Sequence, residues 1–339
     1  MRGICKALLV LLAACSKQAG PAAPAPPDVR LATDLPAPVI DTVLRLIVQH
    51  GGPRAERIGS SAAGAEALTK PEAGSEEGDV RWESEPYGAI AAARRGNLAP
   101  IPITSRDVPP LWRDPGGTWV AVGGRAVVIL AATNQLGDHP VPANYVVLTQ
   151  PWLKGKVAIA APTGGASLAH FAALFQAWGE PRMRAWLGQL QANGVQVLES
   201  DDAVRQAVVG GRAIVGVLSS DEAAKAAASA AHVSLEYPNQ RSIGTFVWPT
   251  ALSRLKNARK EAAAEDLAER LASREIEQLL VARLPGYLPL RAGIAVPPGV
   301  TSAANLVVVS VDPARIVAEI AARKDELAAW AKQARRERP

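Results

Sequence analysis

The sequence predicts an α/β protein with mostly parallel sheets. Short apolar runs alternate along the chain with segments in which apolar residues recur every three or four positions, which is the period of a helix. Polar or glycine-rich turns separate the two kinds of segment. Strands that alternate with helices favour parallel pairing, because each helix returns the chain to the same edge of the sheet. With 48% hydrophobic residues, the chain of 339 residues is long enough for one large domain or two ordinary ones.

The predicted strands are short apolar or β-branched runs bounded by turn residues, at 29–32, 79–82, 119–122, 125–130, 157–161, 195–198, 213–218, 233–237 and 243–249. The predicted helices show an apolar stripe or a run of alanines, at 39–47, 62–68, 87–95, 167–179, 181–193, 201–209, 222–231, 261–272, 274–283 and 314–335. Several of their ends carry local signals. Pro86 suits the first turn of the helix at 87–95, Gly96 ends that helix, and Gly194 ends the helix at 181–193.

The first residues have the pattern of an export signal. Two basic residues precede the apolar stretch 7–14, which is too short to span a bilayer. The stretch leads into Leu-Ala-Ala-Cys15-Ser, which resembles a bacterial lipobox and predicts that Cys15 is lipidated. An ordinary signal peptide with a chance cysteine is the alternative. We expect a signal peptide over 1–15 and an Ala/Pro-rich tether over 16–27.

Cysteine usage and charge exclude several classes of function. Both cysteines, Cys5 and Cys15, lie in the predicted signal segment, so the folded part has no disulfide, thiolate metal site or cysteine nucleophile. The net charge is only +5, and the basic residues are scattered except in the last helix. Because only 4% of the residues are aromatic, a nucleic-acid partner is not expected.

One turn joins a buried strand to a helix through glycines. The apolar run 157–161 is broken by Pro-Thr163-Gly164-Gly165, and Ala166-Ser167 leads into the helical pattern. Free backbone N–H groups and the dipole of the helix make such a start suitable for an anion or a carboxylate. A plain connection whose glycines only make the bend explains the same residues.

Three further loops follow predicted strands in the same way. They carry Thr33-Asp34, the segment 83–85 with Glu85, and Ser219-Ser220-Asp221. In α/β sheets ligands gather at the carboxyl ends of strands, where loops lead into helix starts. We therefore expect these loops and the 163–167 turn to converge on one solute.

An ordered set of short motifs resembles the ferric-iron-type branch of family 1 extracellular solute-binding proteins, the capture components of ABC importers. The motifs are Trp112-Arg-Asp-Pro-Gly-Gly-Thr-Trp119, Gly124-Arg-Ala-Val-Val-Ile-Leu130, Trp152-Leu-Lys-Gly-Lys-Val157, Ala192-Asn193-Gly194-Val195, Tyr237-Pro238-Asn239-Gln240, Gly244-Thr245-Phe246-Val247 and Pro289-Leu290-Arg291. Together they cover most of residues 28–298 in the order of the family.

The resemblance implies a two-lobed periplasmic-binding-protein fold of type II, which closes on its ligand about crossover hinge strands. The crossovers would fall near 120–127 and 244–249. Residues 28–121 and 250–339 would then form one lobe, and residues 122–249 the other.

The resemblance also assigns ligand-binding roles. Thr33-Asp34, Glu85, Arg125 and the turn from Thr163 to Ser167 match positions that line the cleft of the family. Ser219-Ser220-Asp221 departs from it, because ferric-binding members carry adjacent tyrosines in this region. Without that pair, iron binding through tyrosines is not expected. A small anion, a phosphorylated solute or a carboxylate chelate fits Arg125 and the helix start better.

Each of these side chains also has an ordinary structural interpretation. The carboxylate of Glu85 can interact favourably with the dipole of the helix after it. Arg125 can pair with a surface carboxylate, and Ser219 and Asp221 can cap a helix. The histidines have no partner at metal-ligand spacing, which argues against a zinc site.

No catalytic residue, metal or cofactor is predicted. The Gly164-Gly165 pair lacks the context of a nucleotide-binding loop, and no Gly-x-Ser-x-Gly elbow occurs. The leading hypothesis is a monomeric, lipid-anchored binding protein at the periplasmic face of the membrane. It would deliver a small solute (an anion, a phosphorylated compound or chelated ferric iron) to an ABC permease in the inner membrane. A ligand sensor or a divergent binding module without a transport role is the alternative, and an enzyme such as a hydrolase comes third.

Overall fold

The computed structural model describes residues 27–59, 78–101, 107–297 and 300–336. The predicted signal peptide with Cys15, nearly all of the predicted tether and the predicted helix at 62–68 lie outside the described residues. The described part forms two six-stranded sheets with helices packed around them. The predicted α/β class is confirmed.

The first sheet has the strand order β2-β1-β3-β12-β4, and β5 also pairs with β12. Its strands are β1 (Val29–Thr33), β2 (Ala55–Gly59), β3 (Val80–Glu83), β4 (Leu98–Ala99), β5 (Trp119–Val120) and β12 (Ala251–Leu255). The strand β1 runs parallel to β2 and β3. The strand β12 runs antiparallel to all three of its neighbours.

The second sheet has the order β10-β6-β9-β7-β8, and β11 pairs with β6. Its strands are β6 (Gly124–Ala132), β7 (Val157–Ala160), β8 (Gln196–Leu198), β9 (Val215–Ser219), β10 (Val233–Glu236) and β11 (Val247–Pro249). The strand β7 is parallel to β8 and β9, whereas β6 is antiparallel to β9, β10 and β11. Both sheets are therefore mixed, where the sequence predicted mostly parallel pairing. The difference comes from β6 and β12, which enter their sheets directly from the other sheet without a helix to turn the chain back.

Helices cover these sheets at positions close to those predicted: α1 (Ala37–Gln49), α2 (Tyr87–Arg94), α3 (Gly165–Trp178), α4 (Glu180–Ala192), α5 (Asp201–Val209), α6 (Ser220–Ser229), α7 (Glu261–Leu271), α8 (Arg274–Arg283) and α9 (Pro313–Arg336). In α1 the buried residues Ile40, Val43, Leu44 and Ile47 form one stripe against the first sheet. None of the helices in the described part is long and apolar enough to cross a bilayer.

The chain passes between the sheets twice, at neighbouring points. The strand β5 ends at Val120 and β6 begins at Gly124, while β11 and β12 are separated only by Thr250. The Thr250 hydroxyl donates to the Val122 carbonyl (2.7 Å) and accepts from the Val122 N–H (3.3 Å) and the Trp82 indole (3.2 Å). The two crossings are thus tied together by one side chain.

The last helix packs beside the second sheet. Helix α9 contacts α3 and β8, the Trp330 indole donates to the Leu187 carbonyl (3.2 Å), and Arg335 Nε donates to the Val197 carbonyl (3.0 Å). The sequence interpretation placed residues 250–339 in one lobe with 28–121. Helix α9, which is part of that range, packs beside the second sheet.

Candidate functional site

Arg125 lies at the point where the two sheets meet. It is the second residue of β6, and its side chain is 16% exposed. One guanidinium nitrogen donates to Asp221 Oδ2 (3.3 Å) and another to the Ser84 carbonyl (3.5 Å), so the group reaches both sheets. The guanidinium also lies 5.0 Å from the ring centroid of Trp248 and 5.5 Å from that of Tyr287. Such cation–π contacts stabilise by about 0.5–2 kcal/mol each.

The surroundings of Arg125 keep its guanidinium in the charged form. Burial disfavours the charged form, but Tyr287, Asp221 and Glu85 together outweigh burial and raise the pKa of the guanidinium. Its Nε is buried and has no hydrogen-bond partner in the described part of the protein. One donor of a permanently charged group is therefore left over at this point.

Glu85 approaches the start of α3 from the loop after β3. Burial raises the pKa of Glu85 to about 7, Asp34 and Glu83 add to this rise, and Arg125 and the backbone N–H of Ala166 oppose it. The Glu85 Oε2 atom is buried without a partner among the described residues. This carboxylate is therefore only partly satisfied.

The turn before α3 has the predicted form. Gly164 precedes the helix and makes no side-chain cap, and Gly165 has φ +53°, a conformation that favours glycine. A Cβ atom at Gly165 would lie 3.4 Å from Glu85 Oε1. Ser167 turns inward and donates to the Ala160 carbonyl (3.0 Å), whereas Thr163 is exposed.

Thr33 and Asp34 act mainly on their own neighbourhood. The Thr33 hydroxyl is buried and accepts from the Leu35 N–H (3.1 Å). Asp34 accepts from the Ser84 N–H (2.7 Å) and the Ser84 hydroxyl (2.6 Å). Asp34 thus fixes the loop that carries Glu85 and adds a negative charge beside it.

The three residues after β9 have different environments. The Ser219 N–H donates to Asp201 Oδ2 (3.1 Å), and its side chain makes no cap for α6. The Ser220 hydroxyl is fully buried; it donates to the Gly286 carbonyl (2.6 Å) and accepts from the Ala126 N–H (3.0 Å). Asp221 pairs with Arg125 and keeps Oδ1 buried without a partner among the described residues. Of the three, Asp221 is the one with a buried side-chain oxygen that lacks a partner among the described residues.

Two aromatic residues of the site were missed by the sequence interpretation. Tyr287 follows α8, is 5% exposed and interacts with Arg125, Asp221, Asp34 and Glu85. Burial raises the pKa of its phenol to about 12, although Arg125 opposes the rise. The Trp248 ring also lies against the Arg125 guanidinium. Neither residue has a local signal, because the fold brings each to Arg125 from a distant part of the chain.

A small cavity with both apolar and polar lining lies behind the turn. Its volume is about 20 Å³, enough for roughly one water molecule, and it is lined in part by Asp201, Ser219, His170 and Trp248. Burial raises the pKa of Asp201 and lowers that of His170 to about 3, so this histidine is neutral. His170 Nε2 and Trp248 Nε1 are buried without partners among the described residues.

The structure thus gathers Asp34, Glu85, Arg125, Asp221 and the Gly165–Ala166 turn, and adds Tyr287. The loops after β1 and β3 and the segment after α8 contribute one side of the cluster; β6, α3 and α6 contribute the other. Within the described ranges, no three His, Cys, Asp or Glu side chains are placed to hold a metal ion by themselves. Carboxylates outnumber cations here, which suits a ligand that combines positive charge with anionic oxygens.

Comparison with known proteins gives a consistent picture. The profile of the family described as "Bacterial extracellular solute-binding protein" matches residues 95–313. The "Major ferric iron-binding protein" of Neisseria meningitidis serogroup B is 26% identical over 234 residues, which are 66% of this chain and 67% of the relative.

Two solved structures have the same fold. Iron-bound HitA from Pseudomonas aeruginosa has a TM-score of 0.72 at 19% identity and covers 88% of this chain and 98% of its own. The Trichodesmium protein IdiA (FutA), solved with iron and citrate, has a TM-score of 0.71 at 20% identity and covers 90% and 98%. These likenesses confirm the two-lobed fold. The family profile matches well over half of the residues of this chain. The chain therefore belongs to the bacterial extracellular solute-binding proteins.

Proposed function

We propose that this protein is the substrate-binding component of an ABC importer and captures ferric iron as a complex with a small carboxylate or phosphate chelator. The observation that carries the proposal is the mixed charge of the Arg125 cluster. Asp221 and Glu85 interact with the Arg125 guanidinium, which also lies against Tyr287. Asp34 adds a further negative charge beside Glu85. A bare anion would meet an excess of negative charge there, whereas a chelate brings a cation together with its anionic oxygens.

The free groups of the cluster divide in a way that suits such a ligand. Arg125 Nε is a donor without a partner in the described part and can donate to an anionic oxygen of a chelator. Glu85 Oε2 and Asp221 Oδ1 are buried acceptors that lack donors in the same part of the chain. Burying these acceptors is costly unless the ligand supplies a donor or positive charge.

The relatives favour the same class of ligand. The curated relative named above is called a ferric iron-binding protein, and one structural neighbour was solved with both iron and citrate. A chelate also removes the difficulty raised by the missing tyrosine pair, because the chelator supplies most of the oxygens around the metal.

In the proposed working cycle, two lobes, each built around one of the sheets, close on the ligand. One lobe comprises 28–121 with most of the residues after 250, and the other comprises 122–249 with α9 packed on it. Closure about residues 121–123 and Thr250 encloses the ligand, because the closed form binds it better than the open form. Export, lipidation at Cys15, a position at the periplasmic face and a monomeric state complete the proposal.

Calorimetric titration of the protein with ferric citrate, citrate alone and inorganic phosphate tests this function. We expect ferric citrate to bind and the two free anions to bind far more weakly. Arg45→Ala, a change on the exposed face of α1, serves as a control for general damage. Failure of ferric citrate and of other ferric chelates to bind would contradict the proposal.

A further inference from the structure

The start of α3 lacks a cap from its own segment. The helix begins at Gly165, and Gly164 before it has no side chain to accept from the first N–H groups. In a helix of 14 residues these N–H groups and the dipole favour a negative group at the start.

That negative group is Glu85, which comes from the other side of the cluster. The backbone N–H of Ala166 interacts with its carboxylate. Glu85 Oε1 lies beside the first residue of the helix, 3.4 Å from the place of a Cβ atom at Gly165, whose φ of +53° favours glycine. The helix start is therefore used by a carboxylate of the protein itself.

The arrangement leaves Glu85 poorly compensated. Its second oxygen is buried without a partner in the described part, and Asp34 and Glu83 lie near enough to repel it. Arg125 attracts Glu85 but is already bonded to Asp221 and the Ser84 carbonyl. A second anion beside Glu85 would add repulsion, whereas a ligand with positive charge would remove it.

We propose that Glu85 is a selectivity residue, whose carboxylate stands in for a ligand anion at the start of α3 and so excludes free anions from the cleft. A chelate overcomes this exclusion because its cation offsets the charge of Glu85, while a free anion must compete with that charge for the same N–H groups. The proposal rests on the proposed function for the identity of the admitted ligand, but not for the exclusion itself.

The charged and polar groups that face Glu85 are Arg125, Asp34, Glu83, Tyr87, Tyr287 and the Ala166 N–H. Since burial raises the pKa of Glu85 to about 7, the exclusion is strongest at pH 8, where the carboxylate is mostly ionised. The experiment is therefore carried out at pH 8.

Titration of Glu85→Ala and Glu85→Gln with inorganic phosphate and with citrate, without metal, tests the inference. The alanine variant frees the helix start, and the nearly isosteric glutamine variant removes only the charge. We expect both variants to bind at least one of the free anions about tenfold or more tightly than the parent protein, because a like charge in a cleft costs more than the ~1.4 kcal/mol that corresponds to tenfold. Glu56→Gln, the same change on the exposed strand β2, should bind like the parent.

Free-anion affinities of both Glu85 variants that equal or fall below those of the parent would overturn the inference. Circular dichroism confirms that each variant is folded, and the glutamine variant keeps the shape of the side chain. Ferric citrate is measured in parallel on the parent protein. A gain in free-anion binding without any ferric chelate binding supports the exclusion by Glu85 and contradicts the proposed function, so the two failures can be told apart.

Discussion

Arg291 and Arg125 have very different surroundings. Arg291 is 1% exposed, and each of its three guanidinium nitrogens donates: Nη1 to Glu277, Nε to Asp107 (2.8 Å) and Nη2 to the Ala272 carbonyl (2.5 Å). Arg125 makes only two long hydrogen bonds, at 3.3 and 3.5 Å, and its Nε has no partner in the described part. The aromatic rings of Trp248 and Tyr287 hold it in place instead.

The comparison separates a structural charge from a functional one. Around Arg291 each charge has an opposite partner within the network, so no charge is left over for a ligand. Around Arg125 the position of the group is fixed by packing while a donor and nearby acceptors stay free. A binding site requires this second arrangement, since the ligand must complete the hydrogen bonds.

The largest effect should come from Arg291→Ala. This change leaves Glu277, which is fully buried, without its counter-charge, and removing one partner of such a pair costs about 3–5 kcal/mol. Urea unfolding followed by circular dichroism measures the loss. Arg274→Ala removes an exposed arginine from the same network and should cost about 1 kcal/mol or less. Equal losses in the two variants would remove the distinction between the arginines.

Arg125→Ala should affect binding more than stability. We expect ferric citrate to bind roughly 10–100-fold more weakly, because a charge-assisted contact of about 1.5–3 kcal/mol is lost. Calorimetric titration gives the affinity, and the unfolding free energy should fall by less than in Arg291→Ala. An unchanged affinity would show that Arg125 is as purely structural as Arg291.

Glu85 should make stability depend on pH. Its pKa rises from 4.5 to about 7 on folding, so the folded state binds more protons in this window and loses stability as the pH rises through it. After allowance for solvent access, the loss between pH 5 and pH 8 attributable to Glu85 is about 1–2 kcal/mol. Urea unfolding of Glu85→Gln at both pH values should show that much less pH dependence than the parent protein. If the unfolding free energies of the parent and of Glu85→Gln changed equally with pH, Glu85 could not be poorly compensated.

The smallest effect should come from Tyr287→Phe. The ring stays beside the Arg125 guanidinium and keeps the cation–π contact, so the unfolding free energy should change by less than about 0.5 kcal/mol. Loss of the phenol oxygen should weaken ferric citrate binding by about threefold, the size of one modest hydrogen bond. A loss as large as that of Arg125→Ala would make Tyr287 a principal ligand contact.

Helices with local signals were well predicted from the sequence. The bounds of α5 and α8 agree with prediction, because Ser200 and Ser273 each accept a hydrogen bond from the helix start that follows them. The strand β12 was missed, since Thr250 alone separates it from β11 and no turn marks the crossing. The strand β2 was missed because Ala-Glu-Arg-Ile-Gly lacks an apolar run.

The site was predictable as a set of loops but not as a set of contacts. Asp34, Glu85, Arg125 and Asp221 were expected together and lie together, because strand ends of this fold meet at one edge. The 163–167 turn was expected to receive the ligand's anion, whereas Glu85 lies there in the structure. That contact, like the position of Tyr287, depends on how two distant parts of the chain pack, and no local pattern encodes it.

The shared hydroxyl of Thr250 has a mechanical consequence. Since it bonds Val122 on one crossing while belonging to the other, the two connections cannot slide past each other without breaking it. Keeping this bond, which contributes about 0.5–1.5 kcal/mol, favours motions in which the two crossings bend together. A permease in contact with both lobes would then meet mainly a change in the angle between them.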